Sequence, residues 1–167
     1  FGRTAKGLPI VNILNLDKDE SVKSLININK KMIEEDKHWY LFFATEQGLV
    51  KRVDISEFEN IRQTGKIVIK LKEDDSLVGV KLTKGDDEIL IAASNGKLVR
   101  FSEGHVRPMG RSASGVRGIN VDGSKVIGMT TNREGQLIMV VTEKGYGKMS
   151  PIDEYRVSNR GGKGVKT

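Results

Sequence analysis

A short cationic motif with fixed glycines recurs along the chain. Gly2-Arg3-Thr4-Ala5-Lys6-Gly7, Gly110-Arg111-Ser112-Ala113-Ser114-Gly115 and Asn159-Arg160-Gly161-Gly162-Lys163-Gly164 each carry a glycine four residues after an arginine. Ile61-Arg62-Gln63-Thr64-Gly65-Lys66 is a looser copy with the glycine shifted by one. Glycines and small side chains let a backbone approach a phosphate and present its N–H donors. An arginine fork and a lysine point charge then bind phosphate oxygens. The competing reading is structural: a turn leading into a strand needs the glycine, and the arginine is merely solvated. Recurrence favours phosphate chemistry, because turn geometry does not require arginine at every copy. A mononucleotide cradle is excluded, since no Gly-x-x-x-x-Gly-Lys-Ser/Thr loop occurs and no glycine-rich segment leads into a helix.

Other chemistries are poorly served. The sequence has no Cys, which rules out disulfides, thiolate zinc sites and a Cys nucleophile. Its two histidines, His38 and His105, are far apart and near no carboxylate pair, so no catalytic or metal-binding histidine cluster is expected. Tyr40, Tyr146 and Tyr155 have no neighbours that would activate a phenol. We expect no cofactor, no metal and no catalysis by this chain alone. The longest apolar runs, 39–44 and 136–141, are too short to span a bilayer, and no signal-peptide pattern is present. The cytoplasm is the simplest compartment.

The elements that must carry the motif are short strands. Length (167 residues), 37% hydrophobic and 30% charged residues suit one soluble globular domain. The formal net charge of +6 divides into −1 over residues 1–88 and +7 over 89–167, a modest hint of a polyanion partner. Acids cluster at 34–36, 73–75 and 86–88, where turns are expected.

Three segments, 42–48, 90–96 and 139–145, share an apolar run closed by a polar, glycine-ending turn, with the glycines 48 and then 49 residues apart. A second strand-like run with a cation follows each: Leu49-Val50-Lys51-Arg52-Val53, Lys97-Leu98-Val99-Arg100-Phe101 and Tyr146-Gly147-Lys148-Met149. Each pair reads as a β-hairpin, with positive φ at the glycine. Further strands are expected at 77–80 and 126–129, at 67–71 and 116–121, and at 22–26, with 30–38 as an inserted polar turn. Segments 54–62 and 150–156 have room for a turn of helix at most. Four short strands per repeat predict an all-β, propeller-like array of about three blades, cut from a longer protein. Phe42, Ile69, Leu90, Ile91, Ile127 and Val140 are expected in blade cores. Unpaired edges of an incomplete array would favour association of this piece with itself.

The runs Gly2-Arg3-Thr4-Ala5-Lys6-Gly7-Leu8-Pro9-Ile10-Val11-Asn12, Leu49-Val50-Lys51-Arg52 and Gly145-Tyr146-Gly147-Lys148 resemble the C-terminal domain of the bacterial DNA gyrase A protein, and the likeness spans essentially the whole chain. The resemblance implies a β-pinwheel, a disc of four-stranded blades that exchange a strand between neighbours, whose basic rim wraps duplex DNA. It further implies a non-catalytic part of an ATP-dependent type II topoisomerase that introduces negative supercoils. ATP binding and the cleavage tyrosine would then lie in other domains. The implied partners are duplex DNA through its phosphates, the remainder of the gyrase A protein, and the gyrase B protein in a heterotetramer, in the bacterial cytoplasm and associated with the nucleoid. No membrane partner is implied.

The family's signature box, Gln-Arg-Arg-Gly-Gly-Lys-Gly, belongs to the first blade. Only Arg160-Gly161-Gly162-Lys163-Gly164 matches part of it here, preceded by Ser158-Asn159 and near the end of the sequence. By order the chain would start in the second blade and stop in the fifth. It would form one partial pinwheel domain, 1–167, divided into the end of a blade (1–40), blades at 41–88 and 89–136, and a partial blade at 137–167. Wrapping that depends on the first-blade box is in question for such a piece.

The expected DNA-contacting cations are Arg3, Lys6, Arg62, Lys66, Arg111, Arg160 and Lys163 from the motif copies, together with Arg107, Arg117 and Arg156 nearby. The hairpins add Lys51, Arg52, Lys97, Arg100 and Lys148. Readout would be of DNA bendability rather than of bases. Two alternatives stand beside this reading: the related C-terminal domain of the topoisomerase IV A protein, and a protein-interaction propeller without a nucleic-acid role.

Overall fold

The computed structural model describes residues 3–9, 20–29, 32, 38–59, 67–110 and 112–167. Arg62, Lys66 and Arg111 therefore lie outside the described residues, as does most of the expected polar turn at 30–38.

Among the described residues, three antiparallel hairpins organise the chain: β1 (Tyr40–Thr45) with β2 (Leu49–Asp54), β4 (Glu88–Ala93) with β5 (Lys97–Ser102), and β8 (Leu137–Val141) with β9 (Gly147–Pro151). Their turns are built alike. Gly48 N–H donates to Thr45 O, Gly96 N–H to Ala93 O and Gly145 N–H to Thr142 O, at 2.9–3.0 Å, and all three glycines have positive φ as the sequence predicts.

Each of the first two hairpins becomes a four-stranded sheet. β3 (Leu77–Thr83) pairs with β1, and β6 (Val116–Arg117) pairs with β2, giving the order β3-β1-β2-β6. β7 (Val126–Thr131) and β10 (Val165–Lys166) flank the second hairpin in the order β10-β5-β4-β7. Sequence order is not followed: β6 lies between β5 and β7 in the chain but joins the sheet of β1 and β2. Each of these sheets thus borrows its outermost strand from a later stretch, which is the strand exchange of a β-pinwheel. Among the described residues, 67–71 and 22–26 are not strands. The repeat equivalents of 67–71 are β6 and β10, and these are strands because an earlier hairpin supplies hydrogen-bond partners. Residues 67–71 have no such hairpin among the described residues.

The central strands are buried on both faces, which explains their near-continuous apolar sequences. Phe42, Ala44 and Val50 pack with Ile89, Ile91, Val99 and Phe101 between the two sheets. On the far side of the first sheet, Leu41, Phe43, Val53 and Ile55 bury against Trp39, Leu77 and Val80. Leu90, Leu98, Ile152 and Tyr155 fill the space between the second sheet and the third hairpin. Ile127 departs from expectation, being 63% exposed, because it faces the open groove beside β8 and β9. Short 3-10 turns at Ile55–Phe58, Glu103–His105 and Ile152–Glu154 follow the three hairpins; the first and last fall within the segments where the sequence left room for a turn of helix.

Candidate nucleic-acid interface

The motif loops hang outside the hairpins. Pro108 bridges Arg52 and Val157 bridges Arg100, with Met109 N–H and Ser158 N–H donating to the Arg52 and Arg100 carbonyls at 2.8 Å. From there each chain loops outward and returns as β6 or β10. The return point is a glycine. A Cβ on Gly115 would stand 2.5 Å from Val50 O, and one on Gly164 would stand 2.5 Å from Leu98 O. Both glycines also have positive φ, 91° and 76°. The glycine four residues after the arginine therefore seats the lent strand on its host hairpin, so the structural reading holds for that residue. Gly7, in the first copy, meets nothing within 4 Å. The loops also touch in succession: Gly161 N–H donates to Gly118 O at 2.6 Å and Asn120 N–H to Gly162 O at 2.8 Å.

Cations recur around these loops. Arg107 and Arg156 are exposed, each immediately before the bridging residue. Arg117 and Lys166 are exposed at the second position of β6 and β10. Arg160 is exposed, with its guanidinium oriented by Nε to His105 O at 2.9 Å and Nη1 to Arg117 O at 3.1 Å. Arg107 and Arg156, Arg111 and Arg160, and Arg117 and Lys166 are each 49 residues apart. Lys166 is missing from the sequence-derived candidates. Its signal was the match of Gly115-Val116-Arg117 to Gly164-Val165-Lys166, which becomes meaningful once both are seen as lent strands. Lys166 lies opposite Lys97 in the ladder, two like charges that a phosphate would relieve. Lys163 reaches Asp122 at 3.0 Å, and that hydrogen bond and charge hold the Asp122 carboxyl below its ordinary value. Arg3, Lys6 and Lys148 are exposed.

The remaining hairpin cations serve the scaffold. Lys51 is fully buried, and its Nζ donates to Val68 O at 2.5 Å and Ala113 O at 2.9 Å; burial pushes its ammonium pKa down. Arg52 is buried with its guanidinium 4.5 Å above the Tyr40 ring and 3.4 Å from Glu103. Glu103 is fully buried and accepts further hydrogen bonds from Thr83 Oγ1 at 2.6 Å, Gly85 N–H at 2.7 Å and Asp87 N–H at 2.9 Å. Arg100, mostly buried, pairs with Glu88 at 2.6 Å and donates to the Ile152 and Tyr155 carbonyls at 2.9 and 3.0 Å. Arg52 and Arg100 are equivalent residues, four after the hairpin glycine, and each fastens its own sheet to the 3-10 turn after the next hairpin. Among the described residues, no group of three or more His, Cys, Asp or Glu could hold a metal ion, and no helix is long and apolar enough to cross a membrane.

The repeat that builds these loops is that of a known family. A family model described as "DNA gyrase C-terminal domain, beta-propeller" matches residues 2–29, 40–84, 87–132 and 136–167. The chain belongs to the DNA gyrase C-terminal domain family. Within this family's pattern the unmatched residues 30–39 coincide closely with the polar insertion seen in the sequence. The DNA gyrase A protein of Staphylococcus epidermidis is 48% identical over 170 residues, and that of Staphylococcus aureus is 45% identical. Both alignments cover 100% of this chain and 19% of the relative, so the chain spans about a fifth of the length of the curated relatives it matches. Among solved structures, the C-terminal domain of DNA topoisomerase IV matches with a TM-score of 0.85 at 30% identity, over 96% of this chain and 49% of that one. A gyrase A C-terminal domain matches at 0.81 and 25%, over 96% of this chain and 53% of that one.

Proposed function

We propose that this chain binds the phosphate backbone of duplex DNA along the edge formed by the lent strands and motif loops, and bends the duplex around it. The observation that carries this reading is the repeated set of exposed cations, Arg107, Arg117, Arg156, Arg160 and Lys166, on the outer side of successive sheets. Lys97 and Lys163 add to it, Arg111 joins it by sequence equivalence to Arg160, and Arg3, Lys6, Arg62, Lys66 and Lys148 extend it along the chain. Lys51, Arg52 and Arg100 hold this edge in shape from inside. Among the described residues no recognition helix is present to enter the major groove, and the cations stand singly along the edge, so binding is to backbone and deformability, without base readout. Smoothly bending 20–30 base pairs by 40–90° costs of order 1–6 kcal/mol, which several phosphate contacts must offset.

The chain then serves as the DNA-wrapping part of a gyrase A protein. It works with the rest of that protein and with the gyrase B protein, in the bacterial cytoplasm near the nucleoid, to promote negative supercoiling. The curated relatives that match at 45–48% identity over the whole chain are gyrase A proteins, which favours gyrase over topoisomerase IV as the parent. The test is affinity for a 40-base-pair duplex as a function of salt. Each neutralised phosphate adds about −0.9 to the slope of log K against log salt. We expect a steep negative slope that becomes shallower by roughly that amount on R117Q or K166Q. A flat slope, or an unchanged one in both variants, defeats the proposal.

A further inference from the structure

We infer that Lys51 is a positioning residue for DNA binding: from inside the sheet it grips the described part of the motif loop, 112–115, by the Ala113 carbonyl, two residues after Arg111 in sequence. This rests on the reading that the loop meets phosphate.

Lys51 lies on β2 directly beneath the loop. Its ammonium is held between Val68 O and Ala113 O, so it joins the loop to the 67–69 segment. The loop is anchored on the sheet at its two ends, by Met109 N–H donating to Arg52 O at 2.8 Å and by Gly115 pressed on the Val50 carbonyl, and Ala113 N–H donating to Gly110 O at 3.2 Å closes a turn within it. Lys51 supplies a third point between them, at the Ala113 carbonyl.

The second loop supports the assignment. Ala113 follows Arg111 by two residues, and Gly162 follows Arg160 by two. The Gly162 carbonyl is also captured, by the Asn120 N–H. At the Lys51 position, three residues after the hairpin glycine, β5 has Val99. Two different donors thus meet the same loop atom, and the sheet itself accepts a plain aliphatic side chain at that place. A buried ammonium is unfavourable unless its donors are used. In β2 its donors are used by the Val68 and Ala113 carbonyls.

The experiment is a double-substitution cycle on the full chain, with duplex affinity and amide hydrogen exchange as readouts. K51M keeps the length of the side chain and removes its donors. We expect exchange at the 112–115 amides to accelerate at least tenfold in K51M while amides of β1 and β4 are unchanged. We expect R111Q alone to weaken duplex binding roughly fivefold to tenfold at about 0.1 M salt, the effect of one lost phosphate contact. K51M should weaken it similarly, and the double variant should bind no more weakly than K51M. K51Q, whose amide can still donate to one carbonyl, is the milder substitution should K51M fail to fold, and it should show the same coupling. Additive losses, or loop exchange unchanged in the folded variant, overturn the inference. If R111Q leaves affinity unchanged while K51M frees the loop, it is the phosphate reading that fails, and the role of Lys51 in DNA binding falls with it.

Discussion

Asp122 and Lys163 meet 3.0 Å apart beside the second motif loop, with Asp122 itself at a positive φ of 51°. A phosphate approaching Lys163 must compete with this carboxylate. Asp122→Asn should therefore tighten duplex binding severalfold and steepen its salt dependence by a fraction of one contact, measured by fluorescence anisotropy. The sign of the pH effect follows from the same pair. The folded-state pKa of Asp122 is depressed below its ordinary value of 3.8, chiefly by the Lys163 hydrogen bond. Its stabilising contribution is thus present above that ordinary value and is lost as pH falls through the lower, folded value. Glu46, depressed in the same way by Lys125, behaves alike. Both carboxylates are at the surface, so acid titration of the D122N variant should differ from the parent only slightly, and only in strongly acidic solution.

At the scale of an element, the lent strands β6 and β10 depend on a glycine more than on their own two residues. Their side chains contribute little burial, and each docks because the backbone at Gly115 or Gly164 comes within reach of the host strand. Gly115→Ala combines backbone strain of about 1–3 kcal/mol with a methyl group placed against a carbonyl oxygen. We expect a lowered Tm and loss of amide protection in β6, read by calorimetry and hydrogen exchange. Gly164→Ala should do the same to β10. Gly7→Ala, with open space around it and no positive φ, should leave Tm unchanged. Equal effects at all three glycines would mean that the recurring glycine serves something other than strand docking.

For the whole molecule, the relation between sheets is set by a shared apolar layer and by charged fasteners between them. Phe42 and Phe101 pack with ring centroids 6.3 Å apart across the layer. Glu103 draws Thr83, Gly85, Asp87 and Arg52 onto one buried carboxylate. At the equivalent position, seven residues after the hairpin glycine, the other repeats carry Ile55 and Ile152. Glu103→Ala strands a buried guanidinium and should cost about 3–5 kcal/mol, visible as a lower urea midpoint. Because the fastener joins the second repeat to the first, we expect the unaltered chain to bind bent or nicked DNA more tightly than linear duplex, and the same variant to lose part of that difference. Comparative binding to the two DNA forms checks this.

The hairpins, the period of the repeat and the all-β class were legible in the sequence because they rest on local causes: apolar runs, glycine-bearing turns and their spacing. The motif was legible for the same reason, as was its likeness to the gyrase family. The ownership of strands was not. Val116-Arg117 looks like part of its own repeat until β2 is seen to pair with it, because strand pairing is a long-range property that no window of sequence contains. Nor could the sequence separate the two kinds of cation. Lys51, Arg52 and Arg100 lie in strands flanked by residues like those around Arg117 and Lys166, yet the first three point into junctions between sheets and the other two face outward. Charge and spacing determined by themselves that cations recur with every repeat. Only the packing of one sheet on the next decided which of them are buried against the protein itself and which stay exposed, since burial is fixed by what the neighbouring repeat covers.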